Sequence, residues 1–161
     1  MKKYNLVFIF AALFACSAFS LTKRPSVFPP SVVMNCPAPE SIHYENGLFS
    51  APVTLLGWEG QWVSQKHEKS EVKSFVSTLF FARGGAKEGV LVNCTYLLSS
   101  DEEIDLTWEP KNRKHNLVNL IVSIEGYQGW HKESDVAGIQ GYECTGAAQE
   151  CRFTPVRVAD N

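Results

Sequence analysis

Cys36, Cys94, Cys144 and Cys151 carry the widest choice of chemistry in this sequence. As thiolates they could ligate zinc or exchange electrons, and as disulfides they could close loops. Zinc sites use cysteine pairs at Cys-x-x-Cys spacing or nearby histidines. Here Cys36 and Cys94 are solitary, and no histidine lies within ten residues of Cys144 or Cys151 in the stretch ECTGAAQECRF. A thiol redox enzyme would set Cys-x-x-Cys at a helix start, and the sequence has none. Structural disulfides are the remaining reading, and four cysteines allow three connectivities. The short spacing favours Cys144 with Cys151, closing a loop through Gly146. Cys36 and Cys94 would then tie the N-terminal segment to the core.

The other chemistry-bearing residues are dispersed. His43, His67, His115 and His131 stand singly, without the His-x-x-x-His spacing of a metallohydrolase. There is no Gly-x-Ser-x-Gly elbow and no glycine-rich phosphate loop. The acidic run Asp101, Glu102, Glu103 and Asp105 lacks the alternating ligands and glycine of an EF-hand, and reads as a solvated turn. The expectation is a protein without catalytic residues, cofactor or metal.

Two groups of residues could form a binding surface. Gly57-Trp58-Glu59-Gly60-Gln61-Trp62 is echoed by Gly126-Tyr127-Gln128-Gly129-Trp130. Aromatic rings beside glycines and amides suit a sugar, whose apolar face stacks while its hydroxyls bond the amides. Trp58, Trp62 and Trp130 are therefore candidate contacts. The competing reading puts these rings, with Trp108, in the core. Lys111, Arg113 and Lys114, in the basic loop EPKNRKHN, are a second candidate surface. Asn93-Cys94-Thr95 matches a glycosylation sequon, but it sits in an expected strand beside a bridging cysteine.

These residues need a compartment and a scaffold. Lys2 and Lys3 precede an apolar run from Leu6 to Ala15, the pattern of a bacterial secretory signal peptide over residues 1–20. The run is shorter than the roughly 20 apolar residues of a spanning helix. Ala18-Phe19-Ser20 offers a cleavage site, while Leu13-Phe14-Ala15-Cys16 resembles an imperfect lipobox, so membrane attachment is expected only with lipidation at Cys16. Export to an oxidising space agrees with paired cysteines. Without Lys2 and Lys3, the 15 basic residues fall to 13 against 17 acidic, a net charge of −4. That balance argues against nucleic-acid binding, which needs a basic face.

Residues 21–39 hold five of the eight prolines and read as an extended linker. Residues 40–158 then form a single domain of short runs rich in β-branched and aromatic residues, broken by turn residues. Asn46-Gly47 predicts a type I′ hairpin joining SIHYE to LFSAPVTLL. Further strands are expected in VLVNCTYLL, EIDLTW and LVNLIVSIEG. In EVKSFVSTLFFA the apolar residues Val72, Phe75, Val76, Leu79 and Phe80 follow a helical stripe. Its β-branched and aromatic content nevertheless favours a strand. The fold class is mainly β: a small antiparallel sandwich or curled sheet with at most one short helix, stapled by disulfides.

The succession Cys36-Pro37-Ala38-Pro39, Gly57-Trp58 with Trp62, Phe75-Val76-Ser77 with Phe80, Val92-Asn93-Cys94-Thr95-Tyr96, and Cys144 to Cys151-Arg152-Phe153 resembles DUF3757. This is a family of small exported bacterial proteins of unknown function, similar to the periplasmic EirA family associated with the Dot/Icm type IV secretion system. The resemblance covers residues 36 to 154. It implies a β-rich, disulfide-bonded protein of a Gram-negative periplasm. It further implies a non-catalytic interaction or assembly factor whose partner is an envelope or secretion-system protein. The alternative is a module binding peptidoglycan or host sugars through its Trp/Gly-rich face.

Overall fold

The computed structural model describes residues 32–84, 86–111 and 118–160. The signal segment, Cys16, most of the proline-rich stretch, and Arg113, Lys114 and His115 lie outside the described residues. The strands are β1 (Met34–Asn35), β2 (His43–Glu45), β3 (Leu48–Val53), β4 (Gly60–Ser64), β5 (Val72–Arg83) and β6 (Glu88–Leu98). They continue as β7 (Glu103–Pro110), β8 (Val118–Ser123), β9 (Trp130–Val136), β10 (Ile139–Cys144) and β11 (Arg152–Asp160). A single 3-10 turn, Pro39–Ser41, is the one helical element among the described residues. The protein is thus mainly β, a curled antiparallel sheet shaped as a half-barrel.

β6 organises the curl. One side of it pairs with β5, which leads through β10 to β9. Its other side is divided, with Glu88–Leu91 pairing with β8 and Cys94–Leu97 with β7. The sheet therefore forks, one branch running β8-β11-β1 and the other β7-β4-β3-β2. Between the halves of β6, Leu79 pairs with Asn93 and Phe80 with Leu91, so Val92 is an extra residue. Such a bulge bends a strand and re-aims side chains.

The core fills the space inside the fork. The Trp62 ring on β4 meets Phe153 on β11 edge-on at 6.5 Å, joining the two branches. Phe49, Tyr96, Leu98, Leu106 and Val122 are fully buried around them. Asn46 (φ 53°) and Gly47 (φ 85°) turn the β2–β3 hairpin as the type I′ signal requires.

The ambiguous segment is β5, a strand, and its register explains the helical stripe. Its pairing with β6 shifts between Val72 and Ser74, between Phe75 and Ser77, and between Leu79 and Phe80. Each irregularity breaks the two-residue alternation, so apolar side chains recur at intervals that imitate a helix.

Both expected disulfides are present. Cys36–Cys94 closes a separation of 58 residues and Cys144–Cys151 one of 7, with all four cysteines fully buried. Pairing begins earlier than the expected linker boundary at residue 39. Met34 faces Phe153 and Asn35 faces Arg152 across β11, and Met34 is buried. The proline content around Cys36 hides this, because a two-residue strand has no periodicity to read.

Tyr96 completes the attachment of this segment. Its hydroxyl donates to the Pro37 carbonyl at 2.6 Å, and burial pushes its pKa well above the usual tyrosine value. An unfolded tyrosine ionises near pH ~10, whereas the buried one keeps its proton. Above that pH the folded state holds more protons, so stability falls as pH rises. Urea midpoints measured from pH ~8 upward should decline beyond pH ~10, and the decline should be shallower in Tyr96→Phe. Parallel curves for the two proteins would remove Tyr96 as the cause.

Candidate functional site

The candidate binding residues that are described, Trp58, Trp62, Trp130 and Lys111, do not converge on one surface. Trp62 is 3% exposed and Trp108 5%, so both are core residues. This corrects the expectation for Trp62: on β4 it shares a face with Ser64, which looks inward, while Gln61 points out. Trp58 is half-buried, its ring tilted against Trp108 at 6.2 Å. Trp130 is half-buried against Phe80 at 6.1 Å, and its indole N–H donates to the Arg152 carbonyl at 2.8 Å. Lys111 is exposed, its backbone N–H bonded to the Glu59 carbonyl.

Among the described residues, histidines and acids are equally scattered. His43 and His131 are exposed on strands, while His67 lies half-buried 6.0 Å from Phe49 with Nε2 3.6 Å from Glu102. Asp101 (φ 64°) occupies the exposed β6–β7 turn, 3.7 Å from Lys73. Among the described residues, no three His, Cys, Asp or Glu side chains gather so as to hold a metal ion. Asn93 of the sequon is buried at 8% exposure.

The surface that does stand out is the β9–β10 hairpin. β10 pairs with β5 on one side and β9 on the other, and β9 has no further neighbour among the described strands. The turn Ala137-Gly138 (φ 53° and 78°) has type I′ geometry, with a β-bulge following Gly141. Val136 and Ile139 flank the turn as a cross-strand pair, 69% and 50% exposed. Two residues along β10, Gly141 pairs with Phe81, which is 38% exposed. A Cβ at Gly141 would collide with the Phe81 ring, so the absence of a side chain there lets the ring lie across the hairpin.

Pairing and alternation put Val136, Ile139 and Phe81 on one face. Polar contacts brace the hairpin: the Lys132 ammonium bonds Asp135 at 2.9 Å and the Gln140 amide bonds it at 3.3 Å, which together hold the Asp135 carboxyl below its usual range. The result is an apolar-tipped edge.

Residues 31–154 match the family described as DUF3757, a protein of unknown function. The chain belongs to this family. No curated protein and no solved structure matches it. Among the described residues, no helix is long and apolar enough to cross a membrane. The two buried disulfides are consistent with an oxidising compartment.

Sequence reasoning missed Phe81, Val136 and Ile139. The segment HKESDV is too charged to read as a strand, although charge is how sheet edges resist indiscriminate pairing. The available signal was an apolar pair around Ala-Gly in a charged neighbourhood, KESDVAGIQG.

Proposed function

We propose that this DUF3757 protein is an exported, non-catalytic interaction factor of the bacterial envelope, and that it engages a protein partner along the β9–β10 edge. The observation that carries the reading is the exposed apolar trio Val136, Ile139 and Phe81 at an edge with one side unpaired among the described strands. An unpaired edge can accept a strand from another chain, and neighbouring apolar side chains supply selectivity. The periplasm is the compartment in which such a disulfide-bonded factor would work. Following the family resemblance, the partner assigned is a component of a type IV secretion system of the Dot/Icm kind or another envelope complex.

A photo-crosslinking residue at position 139 should capture an envelope protein, while one at Thr54 should not. Val136→Asp with Ile139→Asp should abolish capture at a neighbouring position, with melting within about 0.5 kcal/mol per exposed change. Absence of an adduct, or an adduct unaffected by both aspartates, would sink the proposal.

A second reading retains glycan binding, moved off the tryptophans. Tyr127, Gln128, Glu150 and Arg152 line a shallow depression of about 560 Å³ beside the Cys144–Cys151 loop. It offers an aromatic edge, an amide and both charges, which suit a sugar. A crosslinker at Gln128, in the same experiment with purified sacculi added, separates the readings: capture of glycan there, and no protein at 139, favours the sugar.

A further inference from the structure

We propose a second binding site, independent of the hairpin, on the face of β6, β7 and β4 opposite the core: an acceptor-rich groove for an arginine side chain presented on an extended peptide. The bulge at Val92 creates it. Leu91 and Cys94 face the core, so the extra residue turns both Val92 and Asn93 to the other face. Asn93 lies there with Val63, each 8% exposed, in the lining of an open groove of about 550 Å³.

Acceptors dominate this groove. The carboxylates of Glu103, Asp105 and Glu109 line it from alternate positions of β7, against Lys66 and His67 from the segment after β4. The Asn93 amide donates to Thr95 Oγ1 at 3.3 Å, and Thr95 donates to Asp105 Oδ1 at 2.7 Å. This chain of donors orients the amide and leaves Asn93 Oδ1, fully buried, without a hydrogen-bond partner among the described residues.

A buried acceptor without a donor costs roughly 1–3 kcal/mol. Replacing an amide by an apolar side chain of similar shape would remove that cost, so a fold alone has no need of Asn93. An unmet carbonyl oxygen in the lining of a groove that also holds three carboxylates calls for a ligand that is cationic and carries several N–H groups. A guanidinium has five donors in a planar fork and binds carboxylates in pairs, whereas an ammonium is a compact, strongly hydrated point charge.

The test is an NMR titration of the full, isotopically labelled chain with acetyl-Ser-Arg-Ser-amide, its lysine analogue and its neutral citrulline analogue. The arginine peptide should shift the Thr95 and Asp105 amides saturably, and the citrulline peptide should bind at least about tenfold more weakly. Asp105→Asn, which keeps an acceptor for Thr95, should lose about tenfold in affinity. Asn93→Leu should lose binding while its melting temperature stays level or rises.

The proposal is overturned if the arginine peptide gives no saturable shift at Thr95 and Asp105, or if the lysine or citrulline peptide binds as well. It is also overturned if a folded Asn93→Leu protein binds like the parent. Should that variant fail to fold, Asp105→Asn decides: undiminished binding refutes the site.

Discussion

Replacing Cys36 and Cys94 together by alanine is expected to lower stability by about 4 kcal/mol, against about 2 kcal/mol for the Cys144 and Cys151 pair. The difference follows from the separations, 58 residues in one case and 7 in the other. A bridge stabilises by limiting the unfolded chain, and the restriction grows with the logarithm of the loop. The folded state points the same way. Cys36–Cys94 joins the segment beside β1 to the centre of β6, where Tyr96 also holds Pro37. Cys144–Cys151 closes a local loop whose neighbouring chain remains attached through Trp130 and the β10 ladders. Urea unfolding of both double variants at one pH measures the ratio. An equal loss, or a larger one for the short loop, would mean that local packing rather than chain restriction dominates.

Trp62→Ala is expected to cost about 3–5 kcal/mol, the range for emptying a large aromatic site. Trp62 is the ring through which β4 meets β11 across the fork, and its removal leaves Phe153 without its edge-on partner. Trp58→Ala should cost clearly less, because Trp58 is only half-buried and lies against Trp108 from outside. Chemical denaturation followed by circular dichroism gives both values. The result bears on function as well, since any loss of ligand retention in Trp62→Ala would reflect unfolding. A Trp62→Ala protein as stable as the parent would contradict the core assignment.

Much of the scaffold was legible because it depends on local residue types. Asn46-Gly47 announces its turn through backbone preference, and that turn pairs Tyr44 with Phe49. That the cysteines form disulfides was legible from the want of metal-binding neighbours, while the structure decides which pair, Cys36 with Cys94 and Cys144 with Cys151. The strands around Cys94, Ile104 and Leu120 declared themselves through β-branched and aromatic content. Residues 72–81 are ambiguous in sequence for a definite reason, since three register shifts erase the alternation that marks a strand.

The proposed binding surfaces are of the other kind. Trp58 and Trp62 have similar neighbours in sequence, yet only Trp62 enters the core, because β4 begins between them and its pleat sets which side faces in. Phe81 and Ile139 are 58 positions apart and share a face only because β10 returns along β5. Asn93 reads as a polar residue in a strand, and only the extra residue at Val92 turns it toward the carboxylates of β7. Turn type and strand content are written in adjacent residues, where short-range sterics and burial act. Faces, edges and grooves depend on strand register across the whole chain, and a shift of one residue in pairing exchanges what is buried with what is presented.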